Sequence, residues 1–246
     1  MNKTGTRRSF TPESFADTPH RHAFGFAISG KSAVGTSSLY NGLIARFPRI
    51  KHTLSAGELM RKHQVLYGFA TIREFAEYNT AHPSLGFDSY VDDQIRLTAL
   101  NDNCCVDGRL TYLFAPYCMK IRLVCPALIC AERRQNQKKE KDGVETPFDE
   151  ILKNDILGRN FTDSERYAIK YPGYDWPDSA FDLVLDTGVL GKEEVLNRVL
   201  EFHESTWLKR IRRNRRASRA QISVFVPTPL PQISRGLAKA QSAAVA

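Results

Sequence analysis

The chain of 246 residues lacks any apolar run that approaches the roughly 20 residues needed for a membrane-spanning helix. Its first residues also lack the apolar core of a secretory signal peptide, and they contain Glu13 and Asp17. We therefore expect neither a membrane partner nor a secretory leader. The length allows one α/β domain with an insertion, or one domain with tails.

Acidic residues are absent from the last part of the chain. Residues 205–246 hold nine Lys and Arg and no Asp or Glu, whereas residues 1–204 hold 26 basic and 27 acidic residues. The net charge of +8 therefore belongs to this tail, and the rest of the chain is close to neutral. Within the tail, the basic segment 205–220 is the candidate site for nucleic acid or an acidic partner.

Paired cysteine motifs are also lacking. The five cysteines form no C-x-x-C pair, and the six histidines show no metal-ligand spacing. This pattern argues against a disulfide framework and against a zinc site. Cys104 and Cys105 are adjacent within an apolar run, which favours a place in the core. We expect a reducing compartment and hence a cytoplasmic protein.

Short apolar runs alternate with helical patterns through the middle of the chain. The runs that resemble buried strands are residues 24–28, 50–55, 104–107, 121–125 and 181–186. Strands that are apolar on both faces and separated by helices are typical of a parallel sheet covered on both sides. The sequence therefore predicts an α/β fold.

Composition divides the chain into three parts. Residues 1–22 are polar and are predicted to form a flexible extension, residues 23–204 form the folded domain, and residues 205–246 form a basic, partly irregular tail.

The stretch FGFAISGKSAVGTSSL, residues 24–39, carries the clearest functional signal. Gly30 and Gly35 stand at the spacing of a phosphate-binding loop, G-x-x-x-x-G-K-[ST], and a helix could begin at residues 36–38. Glycines let the backbone approach phosphate oxygens, and the helix N-terminus adds positive potential. Thr36 stands where this pattern has lysine. The alternative interpretation is a glycine turn before a helix.

Arginines follow the predicted strands. Arg61 comes after Ser55-Ala56-Gly57, Arg109 comes after Asp107-Gly108, and a polar insertion after the fourth strand is flanked by Arg133, Arg134, Arg159 and Arg166. The carboxyl ends of parallel strands meet at one edge of the sheet, next to the glycine loop. Cations at this edge are what phosphoryl transfer without a covalent step requires. Taken alone, Arg61 is better explained as a solvated helix residue.

Six segments, in chain order, carry a resemblance to a known family. They are GKSAVGTSS (30–38), LSAGELMR (54–61), FAEYNTAHP (75–83), VDGRL (106–110), RNFTDSERYAIKYPGYD (159–175) and FDLVLDT (181–187). Together they resemble the archaeal-type cytidylate kinases, which are P-loop nucleoside monophosphate kinases for CMP and dCMP. That family commonly has Thr in place of the loop lysine. The resemblance covers about residues 24–202.

This resemblance implies a P-loop NTPase three-layer fold, with a parallel sheet, a helical monophosphate-binding insert at about residues 55–100 and a lid at about residues 133–170. It also implies ATP- and Mg²⁺-dependent phosphorylation of CMP or dCMP. The implied ATP-binding residues are Gly30, Lys31, Ser32, Ala33, Val34, Gly35, Thr36, Ser37 and Ser38. Ser37 would also bind the metal.

The resemblance assigns the remaining roles as follows. The implied substrate-binding residues are Ser55, Gly57, Arg61, Asp107 and Arg109. Arg159 and Arg166 would be catalytic arginines of the lid, and Lys31 could supply the charge that Thr36 does not.

Two other hypotheses remain open at the level of the sequence. One is a nucleotide-binding pseudokinase that acts as an RNA- or partner-binding protein through its basic tail, supported by Thr36, Asp92-Asp93 and the acid-free tail. The other is a kinase for a different small acceptor.

Overall fold

A computed structural model describes residues 21–143, 145–171 and 175–215 of the chain. Most of the predicted N-terminal extension, Tyr174 and the tail beyond residue 215 lie outside these described residues. Of the basic segment 205–220, only residues 205–215 fall within them.

A five-stranded parallel sheet forms the centre of the molecule, in the order β2-β3-β1-β4-β5. The strands are β1 (Phe26–Gly30), β2 (His52–Ser55), β3 (Cys104–Gly108), β4 (Met119–Val124) and β5 (Leu183–Asp186). Each predicted apolar run overlaps one of these strands. The predicted α/β fold with a parallel sheet is confirmed.

Ten α-helices connect and cover the described strands. They are α1 (Thr36–Arg46), α2 (Ala56–Leu66), α3 (Ile72–Ala81), α4 (Phe87–Ala99), α5 (Thr111–Phe114), α6 (Ala127–Asp142), α7 (Phe148–Glu150), α8 (Arg159–Lys170), α9 (Lys192–Phe202) and α10 (Leu208–Arg215). A π-helical turn, Ile151–Gly158, joins α7 to α8, and a second, His203–Trp207, joins α9 to α10.

Local sequence explains where several of these helices begin. Thr71 and Glu74 form a reciprocal capping box at the start of α3, in which each side chain accepts a hydrogen bond from the backbone N–H of the other residue. The Ser55 hydroxyl accepts from the Glu58 N–H and caps α2. Ser55 therefore ends β2 and starts the next helix without a connecting loop.

Successive side chains of β1 point to opposite faces of the sheet, so the strand contributes to two separate cores. Phe26 and Ile28 are buried in a cluster that includes residues of α1 and α9. Ala27 is buried in a second cluster, which includes Phe75 of α3 and Phe87 of α4. Helices thus cover both faces of the sheet and give three layers.

The folded body continues beyond residue 204. Trp207 is 0% exposed, and its indole Nε1–H donates to the His22 carbonyl oxygen at 2.9 Å. Ile211 of α10 is buried in the same cluster. Because these two side chains are packed against the sheet, the first part of the predicted tail contributes to the core.

The described cysteines are all free, and Cys104 and Cys105 are fully buried, which confirms their predicted place in the core. Among the described helices, none combines the length and the apolar character needed to cross a membrane.

We expect Trp207→Ala to lower the free energy of unfolding by about 3–5 kcal/mol, because the substitution empties a fully buried site. Val65→Ala is the control, since Val65 is 72% exposed and such changes stay within about 0.5 kcal/mol. Urea denaturation measures both. Equal stability of the two variants would contradict the packing of Trp207.

Candidate functional site

The loop between β1 and α1 needs both of its glycines. A Cβ added at Gly30 would stand 2.4 Å from Cγ2 of Val34, too close for any side chain. Gly35 has φ +102°, a backbone conformation that residues other than glycine rarely adopt. No described side chain caps the first turn of α1, so the N-terminus of this helix presents backbone N–H groups to the loop.

The loop is supported by the residue that follows the edge strand β5. Thr187, directly after β5, donates its hydroxyl to the Val34 carbonyl oxygen at 2.7 Å. Arg133 of α6 donates from Nη1 to the Thr187 hydroxyl at 3.1 Å and from Nη2 to the Thr187 carbonyl. Arg133 therefore holds Thr187 in place, and Thr187 in turn supports the loop.

Asp107 lies at the carboxyl end of β3, opposite Ser55 in the register with β2. Its Oδ2 accepts from the Ser55 hydroxyl at 3.1 Å and from the Ser37 hydroxyl at 3.5 Å. Its Oδ1 is buried and has no hydrogen-bond partner among the described residues. Burial raises the pKa of this carboxyl, while hydrogen bonds from Thr36, Ser55 and Ser37 lower it.

Arg109 connects the end of β3 to α8. Its Nη1 donates to Oδ1 of Asn160 at 3.1 Å, and its Nη2 lies 2.8 Å from Oδ2 of Asp163. The same Asn160 oxygen accepts from the backbone N–H of Ser32 at 3.4 Å. Helix α8 therefore lies directly over the glycine loop.

Two further arginines, Arg159 and Arg166, belong to this cluster, and both are residues of α8. Arg166 is paired through Nη2 with Oδ1 of Asp163 at 2.9 Å and through Nη1 with Oδ1 of Asp88 at 3.4 Å. Desolvation lowers the pKa of the Arg159 guanidinium, and the positive charge of Arg109 lowers it further. Arg109 and Arg166 thus both contact Asp163, and with Arg159 on the same helix they make this carboxyl edge of the sheet, which we call the mouth, positive.

The other end of α8 is attached to α4 through Asp92. Lys170 Nζ lies 3.0 Å from Oδ2 of Asp92, and the Tyr171 hydroxyl donates to the same oxygen. Burial raises the pKa of Asp92 to about 6, against the opposing effect of Lys170. Both ends of α8 are therefore held by polar contacts.

Most of the predicted site residues lie at one edge of the sheet. The loop Gly30, Lys31, Ser32, Ala33, Val34, Gly35, Thr36, Ser37 and Ser38 follows β1, Ser55 and Asp107 end the neighbouring strands, and Arg109, Arg159 and Arg166 complete the mouth.

Three predicted residues are less closely engaged. Lys31 and Arg61 are exposed, and neither makes an ion pair with a described residue. Gly57 lies beside Arg61, because a Cβ added there would stand 3.4 Å from Nη1 of that arginine.

Sequence reasoning missed three residues that contact the cluster, namely Asn160, Asp163 and Asp88. A signal for Asp163 was present, since it stands four residues after Arg159 and three before Arg166 and so shares a helix face with both.

The comparisons with known proteins show one weak similarity. The chain is 27% identical over 184 residues to a protein named S-adenosylmethionine-dependent nucleotide dehydratase from Lacinutrix mariniflava. The match covers 74% of this chain but 35% of that relative, so the chain spans about a third of the relative's length. No family model matches the chain.

This comparison contradicts the predicted membership of the cytidylate kinases. The relative is named as a dehydratase that depends on S-adenosylmethionine. The predicted phosphorylation of CMP or dCMP is therefore wrong, as are ATP and Mg²⁺ as its cofactors. The pseudokinase acting through the basic tail finds no support either. The physical reason is that the matching segments are short and describe phosphate recognition, which several classes of nucleotide enzyme need.

We expect the stability of the protein to fall as the pH rises from 4 to 7, relative to the variant Asp92→Asn. Since the folded-state pKa of about 6 is raised from 3.8, the folded state binds this proton more tightly, and its contribution is lost as the pH passes 6. The difference in unfolding free energy between the two proteins should change by about 3 kcal/mol in favour of Asn.

Urea titrations at each pH measure this difference. The exposed Asp149→Asn is the control and should run parallel to the wild type. A parallel course for Asp92→Asn as well would show that Asp92 does not titrate as stated.

Proposed function

We propose that this chain forms a nucleotide-binding domain of an enzyme that acts on nucleotides. The observation that carries this proposal is the glycine loop of residues 30–38, whose backbone lies beneath Arg109 at the N-terminus of α1. Backbone N–H groups, a helix N-terminus and a guanidinium fork are the groups that bind phosphate oxygens. The nucleotide in the relative's name agrees with this chemistry.

We further propose that the finer fold is that of the P-loop proteins. In support, the loop follows the central strand β1, and the chain crosses from β3 on one side of β1 to β4 on the other. Ligands of open parallel sheets bind at such a point, beyond the carboxyl ends of the strands. The helices α2 to α4 and the helix α8 would form the two walls of the cleft.

Each predicted residue has a place in this proposal. The loop binds the phosphate groups, and Arg109, Arg159 and Arg166 compensate their charge. Ser55 and Asp107 lie at the ends of the neighbouring strands, where the open Oδ1 of Asp107 can accept a hydrogen bond from a ligand hydroxyl or amino group. The exposed Lys31 and Arg61, with the half-buried Gly57, then line the rim, and the Ser37 hydroxyl, bonded to Asp107, lies beneath the phosphates.

S-adenosylmethionine, the cofactor in the relative's name, does not fit this mouth. Its sulfonium group is a cation, and the mouth gathers the cations Arg109, Arg159 and Arg166. Two acids contact these arginines, and both are already paired: Asp163 with Arg109 and Arg166, and Asp88 with Arg166. Like charges repel strongly in partly buried surroundings. The described site therefore does not suit this cofactor.

Isothermal titration with a panel of nucleosides and their mono-, di- and triphosphates tests the proposal. We expect nucleotides to bind and the matching nucleosides not to bind, with Gly35→Val weakening binding at least ten-fold because valine cannot adopt φ +102°. Gly191→Val is the matched control, since Gly191 has φ −72° and open space around it. Equal affinity of Gly35→Val and wild type, or of nucleosides and nucleotides, would overturn the proposal.

The same titration tests the charge argument. We expect S-adenosylmethionine at a large excess to leave the bound nucleotide in place, because the positive mouth repels its sulfonium. Displacement of the nucleotide at equal concentrations would contradict this expectation.

A further inference from the structure

The first turns of α8 supply acceptors to the donors that a phosphate group would use. Asn160 Oδ1 accepts from the loop N–H of Ser32 at 3.4 Å and from Arg109 Nη1 at 3.1 Å. Asp163 Oδ2 lies 2.8 Å from Arg109 Nη2. Both arms of the Arg109 guanidinium are therefore occupied by side chains of one helix.

The oxygens of Asn160 and Asp163 accept hydrogen bonds from the donors that would also bind phosphate oxygens. A guanidinium fork binds a carboxylate and a phosphate with the same two parallel N–H groups. A ligand phosphate that takes up this fork of Arg109 and the Ser32 N–H would therefore replace these two side chains. The phosphate and the start of α8 compete for one set of donors.

The charge of the cluster explains why an internal anion is present. Arg109 and Arg166 both contact the carboxylate of Asp163, on its two different oxygens. Without it, the guanidinium groups would repel one another in a partly buried place. A phosphate group carries more negative charge than one carboxylate and can replace it in this role.

Helix α8 is built in a way that permits it to leave. None of its twelve residues is buried, and Phe161 and Ile169 are largely exposed. Apart from Tyr167, which packs partly buried against the second core cluster, its ties to the body are polar, through Asp88 to Arg166 and through Asp92 to Lys170. A π-helical turn, Ile151–Gly158, precedes it, and such turns interrupt the regular hydrogen bonding of a helix.

We propose that Asp163, assisted by Asn160, is a built-in substitute for a ligand phosphate, and that nucleotide binding displaces it from Arg109. This inference rests on the proposed function, because it concerns the same phosphate site. In the free protein, the contact of Asp163 with Arg109 holds α8 beside the loop. Bound phosphate takes over Arg109 and releases this contact, so occupancy of the site sets the position of α8.

The test compares Asp163→Asn with Glu165→Gln, an exposed acid of the same helix outside the cluster. The probe is inorganic tripolyphosphate, titrated by calorimetry at low salt. We expect Asp163→Asn to bind it at least five-fold more tightly than wild type, and Glu165→Gln to bind it as wild type does. Weaker or unchanged binding by Asp163→Asn would overturn the inference, since a merely structural residue would loosen the site.

Two further measurements keep the test decisive. Amide hydrogen exchange without ligand should be faster in residues 159–166 of Asp163→Asn and unchanged in Glu165→Gln; unchanged exchange in both counts against displacement. Asn160→Ala should also gain affinity, by a smaller factor, and a loss would contradict the shared role. If wild type binds tripolyphosphate without any gain in the variants, only this inference fails. If neither wild type nor variants bind it, the proposed function fails as well.

Discussion

The meeting of like charges at one edge of a parallel sheet is the constraint on which the site depends. β3 delivers Arg109 to this edge, α8 delivers Arg166, and Asp163 lies between them in contact with both. Guanidinium groups stay charged at any accessible pH, so their repulsion can be relieved only by an anion. This need helps to set the position of α8 in the free protein, because the helix buries no residue fully and packs Tyr167 only partly against the core.

The strands were predictable because each is a short apolar run buried on both faces, and burial of this kind leaves a local mark on the sequence. The differences lie at the ends. The run at 181–186 forms β5 only from Leu183, although the Asp182 N–H still donates to the Lys120 carbonyl oxygen. The run at 121–125 begins two residues earlier, at Met119, which pairs with Phe26 of β1. Both differences reflect pairing with a neighbour that no single segment encodes.

For the functional site as well, local features were predictable from the sequence and contacts between distant segments were not. The glycine loop was predictable from Gly30 and Gly35, because its geometry is local and needs residues without a side chain. The contact of Arg109 with Asp163 joins residues 54 positions apart and depends on where α8 packs. The burial of Trp207 depends likewise on His22 at the other end of the domain. Composition indicated a basic tail from residue 205 on, because Lys and Arg dominate its sequence. The packing of its first part depends instead on the single indole of Trp207.

The misassigned reaction has a physical origin of its own. A cluster of cations and loop N–H groups reports the charge of the ligand it holds, and every enzyme that holds a nucleotide by its phosphates needs such a cluster. Which bond of the ligand reacts is decided by groups that touch that bond, and phosphate-binding segments contain none of them. Among the described residues, Oδ1 of Asp107 is a buried acceptor without a hydrogen-bond partner, and it lies close to the loop because Oδ2 of the same carboxylate accepts from Ser37. Its surroundings, two serine hydroxyls on the other oxygen and no cation in contact, suit recognition of a neutral hydroxyl or amino group. In the site we propose, the groups that distinguish one nucleotide from another are therefore expected beside Asp107, between the ends of β2 and β3, and not among the guanidinium groups themselves.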